Sequence, residues 1–444
     1  MMQNNSNYDV GVFYMPFWLY PGNDPMDGNW KMINDYDTFL VNKGEANKVR
    51  IPMNNYWPSP QWYDERMASV TEKQLEYMSN HEIDFVVLDS YWIHENNIDA
   101  YVPAWQHVLE NMKQPGFNFH GMEFAIMWAN DFTNMVDQTS CERFLRGGLN
   151  GGLDRMVTYW SQFFQHANYK KIDGKPVFYI YYPSIKSQDF SGKFTTPTIE
   201  GICGYCEDDP FFDPLGPAKN EPNINNLKTK YLLEQIEAKL GMELYFVAVI
   251  ATDIRNYADA PAVDWYIKYD WLLQHPQLAG YDAVTTYGYK YFDYEDAFKT
   301  TQTTVCNGQS SFHNWDYNYS TMQGIYQRFY DYMINNSTLD YHVPVTAGFS
   351  RNPYNMFEKL NGEYLQFADP CNNYTRDPID QAVSSPATFE QSLISARNLV
   401  DNNPIRTRKI VMISAWNEYA EGTVIEPTVT FGTQYLEKVK NVFM

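Results

Sequence analysis

Cysteine is scarce and odd in number. The chain of 444 residues has 5, Cys141, Cys203, Cys206, Cys306 and Cys371, which excludes the even, regularly spaced set of a disulfide framework. Cys203 and Cys206 have CxxC spacing, but no second pair and no redox-type strand accompany them, so they read as loop cysteines. Histidine is also sparse, with 8 residues and no HExxH or related spacing, and a zinc enzyme is disfavoured. No cofactor or metal is expected. Long apolar runs are missing too: no stretch of about 18 apolar residues occurs, and the polar start from Met1 to Tyr8 lacks the apolar centre of a signal peptide. No membrane span is expected. The compartment stays open: cytoplasmic if the chain is complete, periplasmic or secreted if a leader was trimmed. Positive charge is in deficit, with 33 Lys and Arg against 54 Asp and Glu for a net charge of -21, which repels nucleic acid phosphates. Neither a GxGxxG run nor a basic diphosphate pocket appears, which counts against a nucleotide-sugar site.

What is abundant is aromatic. Tyr 36, Trp 12 and Phe 27 make up 17% of the chain, often beside Asn, Asp and Pro. Such faces suit sugar rings, and equally they suit a core. Apolar strands alternate with helical patterns. The strands read as Val10–Tyr14, Asp84–Asp89, Glu123–Trp128, Val177–Tyr181, Tyr245–Ile250, Tyr281–Thr286, Val343–Ala347 and Ile410–Ile413. Helices are expected from Thr71 as cap to His81, and over Tyr101–Lys113, Gly152–Asn168, Asn225–Leu240, Asp264–Gln274, Thr321–Asn335, Thr388–Asp401 and Thr433–Phe443. Eight strand-then-helix units are the number that closes a parallel barrel, so the fold class is α/β, a (β/α)8 TIM barrel. The whole chain, 1–444, reads as a single catalytic domain. Tyr20–Pro60 reads as a long loop, and insertions near 183–222, 290–318 and 352–385 follow strands, which puts them on the catalytic face.

The strand ends carry the chemistry. The last apolar strand empties into Trp416, Asn417, Glu418, Glu421 and Glu426. Glu418 and Glu421 stand three residues apart, within about 10 Å by chain reach, which includes both the retaining and the inverting carboxyl separation of glycoside hydrolysis. A pair of this kind supplies one acid for the leaving oxygen and one group that assists the new bond; the alternative is two solvated loop carboxylates. Asp89, Asn130 and Asp131 end strands and either bind sugar hydroxyls or cap the next element. Tyr14, Trp18, Tyr91, Trp92 and Trp128 are candidates for stacking on sugar, with packing as the alternative. Arg351 either binds a polar sugar group or neutralises the acidic rim, and Glu426 either faces substrate or bonds loop amides.

The stretch from Ala415 to Pro427, AWNEYAEGTVIEP, resembles the signature of the WbsX-like family of polysaccharide-cluster proteins, AWNEWAEG followed by LEP. It is also similar to the NEWHEGTQIE signature of the endo-α-mannosidases of glycoside hydrolase family 99. Met127 to Asp131 resembles the family's CWANE, and Tyr169 to Val177 its YxxxDGKPV. Tyr419 stands for the usual Trp, Ala420 for the mannosidases' His and Asp131 for Glu. The resemblance implies a (β/α)8 barrel acting on a polysaccharide or oligosaccharide, with Glu421 as general acid and Glu418 as base toward the sugar's own 2-hydroxyl, giving net retention. It also implies that Tyr287 lies near the reacting sugar. A glycoside hydrolase is the expected function. A WbsX-type glycosyltransferase and a non-catalytic carbohydrate-binding barrel are the alternatives. The oligomeric state is not legible.

Overall fold

The computed structural model describes residues 7–19, 28–42, 51–53, 62–95, 100–129, 152–181, 224–251, 280–288, 303–306, 309–312, 319–349, 359–360, 363–364 and 383–444. Its centre is a parallel barrel. The strands are β1 (Asp9–Tyr14), β2 (Phe85–Glu95), β3 (Glu123–Ala129), β4 (Lys175–Tyr181), β5 (Tyr245–Ala251), β6 (Ala283–Gly288), β7 and β8 (Ile410–Ser414). β7 comes as two segments, Asp340–Tyr341 and Val343–Thr346, on either side of His342. The first segment pairs with β6 and the second with β8, while β8 pairs with β1. Among the described residues the nine parallel segments of the sheet are therefore eight strands, and His342 marks the place where the last seam of the ring changes partner. Its ring points inward beside the Tyr179 hydroxyl, 3.4 Å away, and stacks on Tyr245. Burial, with Lys170 and Arg408 adding, holds its pKa down to about 3.

The two faces of each strand carry different side chains because successive residues alternate. Phe13, Phe85, Val87, Ala125, Met127, Val177, Tyr179, Val247, Val249, Ala283 and Met412 fill the barrel. Val10, Val12, Val86, Leu88, Phe124, Ile126, Phe178, Phe246, Val411 and Ile413 face the helices. The strands read as continuous apolar runs because both faces are buried. Gly11 has an inward reason: a Cβ there would lie 2.3 Å from the Phe85 ring and 2.7 Å from the Met412 sulfur. Gly11→Ala is expected to cost about 1–3 kcal/mol through overpacking, read from the urea midpoint at unchanged slope.

The helices include α1 (Gly28–Asn42), α2 (Ala68–Ser79), α3 (His107–Met112), α4 (Gly152–Phe164), α5 (Ile224–Leu240), α6 (Tyr319–Asn336), α7 (Pro386–Asn402), α8 (Pro404–Thr407) and α9 (Gln434–Phe443). α7 starts where Ser385 and Thr388 bond reciprocally to each other's backbone and Pro386 fits the first turn. Three expectations needed correction. Tyr20–Pro60 contains α1, whose Trp30, Met32 and Ile33 are buried. Thr71 is a buried residue inside α2 and not its cap. The helix expected over Tyr101–Lys113 forms only from His107, as α3, and its first residues belong instead to a strand, Ala100–Ala104, antiparallel to the end of β2; Val102 and Pro103 suit an edge better than a helix interior. Hairpins occur within two of the expected insertions, Thr303–Cys306 with Gln309–Phe312 and Lys359–Leu360 with Glu363–Tyr364. The expected helix Asp264–Gln274 lies outside the described residues.

The N-terminal end of the barrel is closed by ion pairs. Lys170 bonds Asp9 at 2.6 Å and Glu123 at 2.8 Å, and Arg408 pairs with Asp340 and Asp173. Charge at that end serves stability, and the opposite end is left for chemistry.

Candidate active site

At the C-terminal end of β8 the chain turns into a small hairpin, in which Asn417–Glu418 pairs antiparallel with Thr423–Val424. A 3-10 turn, Tyr419–Glu421, joins them, and Gly422 closes it at φ 66°, a left-handed conformation that favours glycine. The hairpin base is stitched to the barrel by the Trp416 amide on the Phe13 carbonyl, 2.8 Å, and the Glu426 amide on the Trp416 carbonyl, 3.0 Å. The two candidate carboxylates therefore ride on a short, rigid hairpin directly above the barrel.

Glu418 is fully buried, and neither of its oxygens has a side-chain hydrogen-bond partner among the described residues; its nearby support is the backbone amides of Ala420 and Glu421. Burial pushes its pKa well above the usual carboxylate range, Glu421 and Asp89 push it further, and the amides of Ala420 and Glu421 act in the opposite direction. Glu421 is half-buried. Asp89, inward on β2 just past its last residue paired with β1, accepts from the Tyr91 hydroxyl at 2.9 Å. Tyr287, inward on β6, packs edge-on against Phe13 and Tyr181. Its pKa is raised well above the ordinary value by burial, then by Glu418, Glu421 and Asp89. Strands 2, 6 and 8 thus bring Asp89, Tyr287, Glu418 and Glu421 into one electrostatic cluster. Thr285 of the same strand and Ser414 also carry buried polar atoms with no partner among the described residues, and the buried hydroxyls of Tyr287 and Thr423 face each other. Such atoms gather where a polar ligand supplies the missing bonds.

Because the folded pKa of Glu418 lies above its unfolded value, its contribution to stability is complete below the unfolded pKa and is lost as pH rises toward the folded one. Denaturant unfolding across pH is expected to show the wild type losing ground to Glu418→Gln from about pH 5 upward. Parallel curves would mean that Glu418 is ionised in the folded protein.

The remaining candidates separate by strand parity. Tyr91 and Trp92 are neighbours on β2, so only one can face the mouth. Tyr91 joins Asp89, while Trp92 packs outward, edge-on to Trp160 at 6.2 Å. Trp128 is also outward, 5.8 Å from Trp160, and Trp416 belongs to the same barrel–helix core. Trp18 is stacked on Trp30 at 4.5 Å in a second buried cluster beneath the hairpin. These tryptophans are packing, and none presents a face to a sugar. Tyr14 points outward and its hydroxyl reaches Glu65 and Gln74. Asn417 bonds both backbone groups of Met15, at 2.9 and 3.0 Å. Glu426 is held by Tyr63, Tyr419 and Gln74. Tyr14, Asn417 and Glu426 therefore belong to the scaffold behind the hairpin. Asn130, Asp131 and Arg351 lie outside the described residues.

Three residues of that scaffold, Tyr63, Glu65 and Gln74, were missed in the sequence. Gln74 left a readable signal, because it occupies the buried face of α2 with Val70, Thr71, Leu75 and Met78, where a core helix wants an apolar residue. No spacing marked Glu65.

Residues 222–439 match the family model described as Glycosyltransferase WbsX. The resemblance seen in the AWNEYAEG stretch is thereby found independently, over just under half of the chain, the part that holds β5 to β8 and the hairpin. Among solved structures, a "Glycoside hydrolase-like protein" superposes with a TM-score of 0.54 at 14% identity, covering 100% of this chain and 96% of that one. It shares the barrel. An endo-α-mannosidase of family GH99 from Bacteroides thetaiotaomicron is similar at a TM-score of 0.42 and 13% identity, covering 98% of this chain and 96% of that one. No curated protein matches the chain.

Proposed function

We propose that the protein is a glycoside hydrolase acting on a polysaccharide or complex glycan, with Glu418 and Glu421 as its working pair. The observation that carries this reading is Glu418 itself: a carboxyl with no solvent exposure and no side-chain hydrogen-bond partner among the described residues, facing two further carboxylates at the C-terminal end of a barrel. A buried acid is costly and persists where it has work to do. A glycosidase needs two carboxyls whose proton affinities are driven apart, and crowding Glu418 with Glu421 and Asp89 does that.

The sequence resemblance supplies the finer assignment. Glu418 as carboxylate takes the proton of the sugar's 2-hydroxyl, and that oxygen attacks the anomeric carbon. The glycosidic C–O bond breaks, and Glu421 gives its proton to the leaving oxygen. Water then opens the anhydro sugar, Glu421 removing the water's proton while Glu418 returns its own to the 2-oxygen. The raised proton affinity of Glu418 suits this role, because a base acting on a hydroxyl works better as its own pKa rises. In this reading Tyr287 and Asp89, which join the pair in one cluster, bond the hydroxyls of the reacting ring.

The test is reducing-end release from α-mannans and bacterial capsular or exopolysaccharides by the wild type, Glu418→Gln and Glu421→Gln. The WbsX description favours one other reading, transfer from a sugar nucleotide. Consumption of a sugar nucleotide without hydrolysis of any glycan would establish that reading in place of ours, and binding without turnover would establish a lectin-like barrel.

A further inference from the structure

Behind the hairpin runs a continuous line of buried polar contacts from one carboxyl to another. Glu65 Oε1 lies 2.7 Å from the Tyr14 hydroxyl, which lies 2.5 Å from the Gln74 carbonyl oxygen, and Gln74 Nε2 lies 3.1 Å from Glu426 Oε1. Glu65, Gln74 and Glu426 are at most 1% exposed. The line has three contacts, so it needs three protons, and with both carboxyls ionised it holds only two. Tyr14 has a single hydroxyl proton, and Gln74 can donate from one end of its amide only. If Gln74 donates to Glu426, Tyr14 must donate to Gln74, and the contact with Glu65 requires a proton on Glu65. If the amide is flipped, Gln74 donates to Tyr14 and Tyr14 to Glu65, and its oxygen then faces Glu426, which requires a proton there. Either orientation leaves one proton on the pair.

The other contacts decide which end holds it. Glu426 accepts from the hydroxyls of Tyr63 and Tyr419 at 2.9 and 2.7 Å, besides Gln74, which suits a carboxylate. Glu65 accepts from the Trp18 amide at Oε2, 2.8 Å, and from Asn417 Nδ2 at Oε1, 2.9 Å, and the same Oε1 carries the proton donated to Tyr14. The groups around Glu65 are Asp64, Glu426, Tyr14 and Tyr63, and no Lys or Arg bonds it among the described residues. Arg66 is spent on Asp64 at 2.6 Å, and Lys73, on the next helix, on Glu76 at 2.7 Å. Burial, with Glu426 and Asp64, moves the Glu65 pKa upward as well.

We propose that Glu65 and Glu426 share one proton at neutral pH, held on Glu65 as a carboxylic acid, and that this acid acts through Asn417 as a positioning residue for the hairpin that carries Glu418 and Glu421. The clamp follows from the count. Asn417 is fixed by both backbone groups of Met15, and the second proton of its Nδ2 meets Glu65 Oε1 at 2.9 Å, a closer acceptor than the Tyr63 hydroxyl at 3.4 Å. A carboxylic acid hydroxyl accepts that bond while donating to Tyr14. The positioning half of the statement rests on the reading of Glu418 and Glu421 as the working pair; the shared proton does not.

The two glutamine variants divide the two halves. In Glu426→Gln, a flip of Gln74 satisfies every contact with Glu65 ionised. In Glu65→Gln, an amide nitrogen donates to Tyr14 but faces the Asn417 nitrogen, and the clamp bond is lost. Neither variant stores the proton. Urea unfolding of the full chain from about pH 6 to 8 is therefore expected to show the wild-type folding constant falling about tenfold per pH unit relative to both variants, since all these carboxyls are ionised once unfolded. Curves parallel to the wild type would overturn the shared proton. Should a variant not fold, infrared spectra of Glu418→Gln settle the same point: a buried protonated carboxyl band is expected to remain, and its absence overturns the proposal. On a glycan that the wild type cleaves, kcat of Glu65→Gln is expected to fall about tenfold or more with little change in KM, and that of Glu426→Gln by clearly less. Equal losses would overturn the clamp. If no glycan is cleaved, the hydrolase reading fails while the unfolding comparison still reads the proton.

Discussion

Glu418→Gln and Glu421→Gln are each expected to lower glycan turnover by about a hundredfold to ten-thousandfold, the usual worth of a positioned acid or base. Each substitution keeps the shape and removes only the proton chemistry, so the folded hairpin and its Asn417–Glu418 pairing with Thr423–Val424 are retained. The double variant is expected to be little worse than the poorer single one, because residues that act on the same bond are strongly non-additive. The two singles also separate on stability. Glu418→Gln removes a carboxyl that is wholly buried and gains relative stability as pH rises, whereas Glu421 is only half-buried. Turnover that survives both substitutions would end the assignment of the pair, and would turn attention to Asp89, the third carboxylate of the cluster.

The second large effect is on folding. Trp128→Ala is expected to destabilise the protein by about 3–5 kcal/mol, the range for truncating a large buried aromatic. Trp128 is fully buried on the outer face of β3, and with Trp92 it packs on Trp160, which in turn lies 4.8 Å from Phe178 and donates to Ser90 at 3.0 Å. Alanine leaves a cavity that strands on one side and α4 on the other cannot collapse to fill. Denaturant unfolding reads the loss directly. A Trp128 that stacked on substrate would give the opposite result, near-normal stability with a raised KM, and that outcome would overturn its placement in the core.

The barrel was legible because its cause is local. Each strand is a short β-branched or aromatic run, each long helix carries a buried stripe, and eight repeats of that alternation have one common closure. Even the seventh strand, Val343–Ala347 in the sequence, was found in place; what the pattern did not show is that Asp340–Tyr341 extends it across His342 to meet β6. The hairpin carboxylates were legible for the same reason, since Glu418 follows directly on an apolar strand whose end is fixed. Tyr101–Ala104 was misread because its pairing partner, the end of β2, is distant in sequence, and a helical pattern there competed with an edge the sequence does not display.

By itself, then, the sequence determined the strands, their order, and the delivery of Glu418 and Glu421 to the C-terminal end of the barrel. Only the tertiary structure decided which side of each strand a residue faces and which polar side chains meet. Parity sent Trp92, Trp128 and Trp416 into the core and kept Asp89, Tyr91 and Tyr287 at the mouth. Burial turned Asn417 and Glu426 from candidate sugar ligands into partners of Glu65, Tyr63 and Gln74, residues roughly 350 positions away along the chain. A one-dimensional pattern fixes the period of an element. Its phase relative to a ligand, and the partner of a buried hydrogen bond, are fixed only when distant segments close on each other, because an unpaired polar group inside costs too much to be left where it falls.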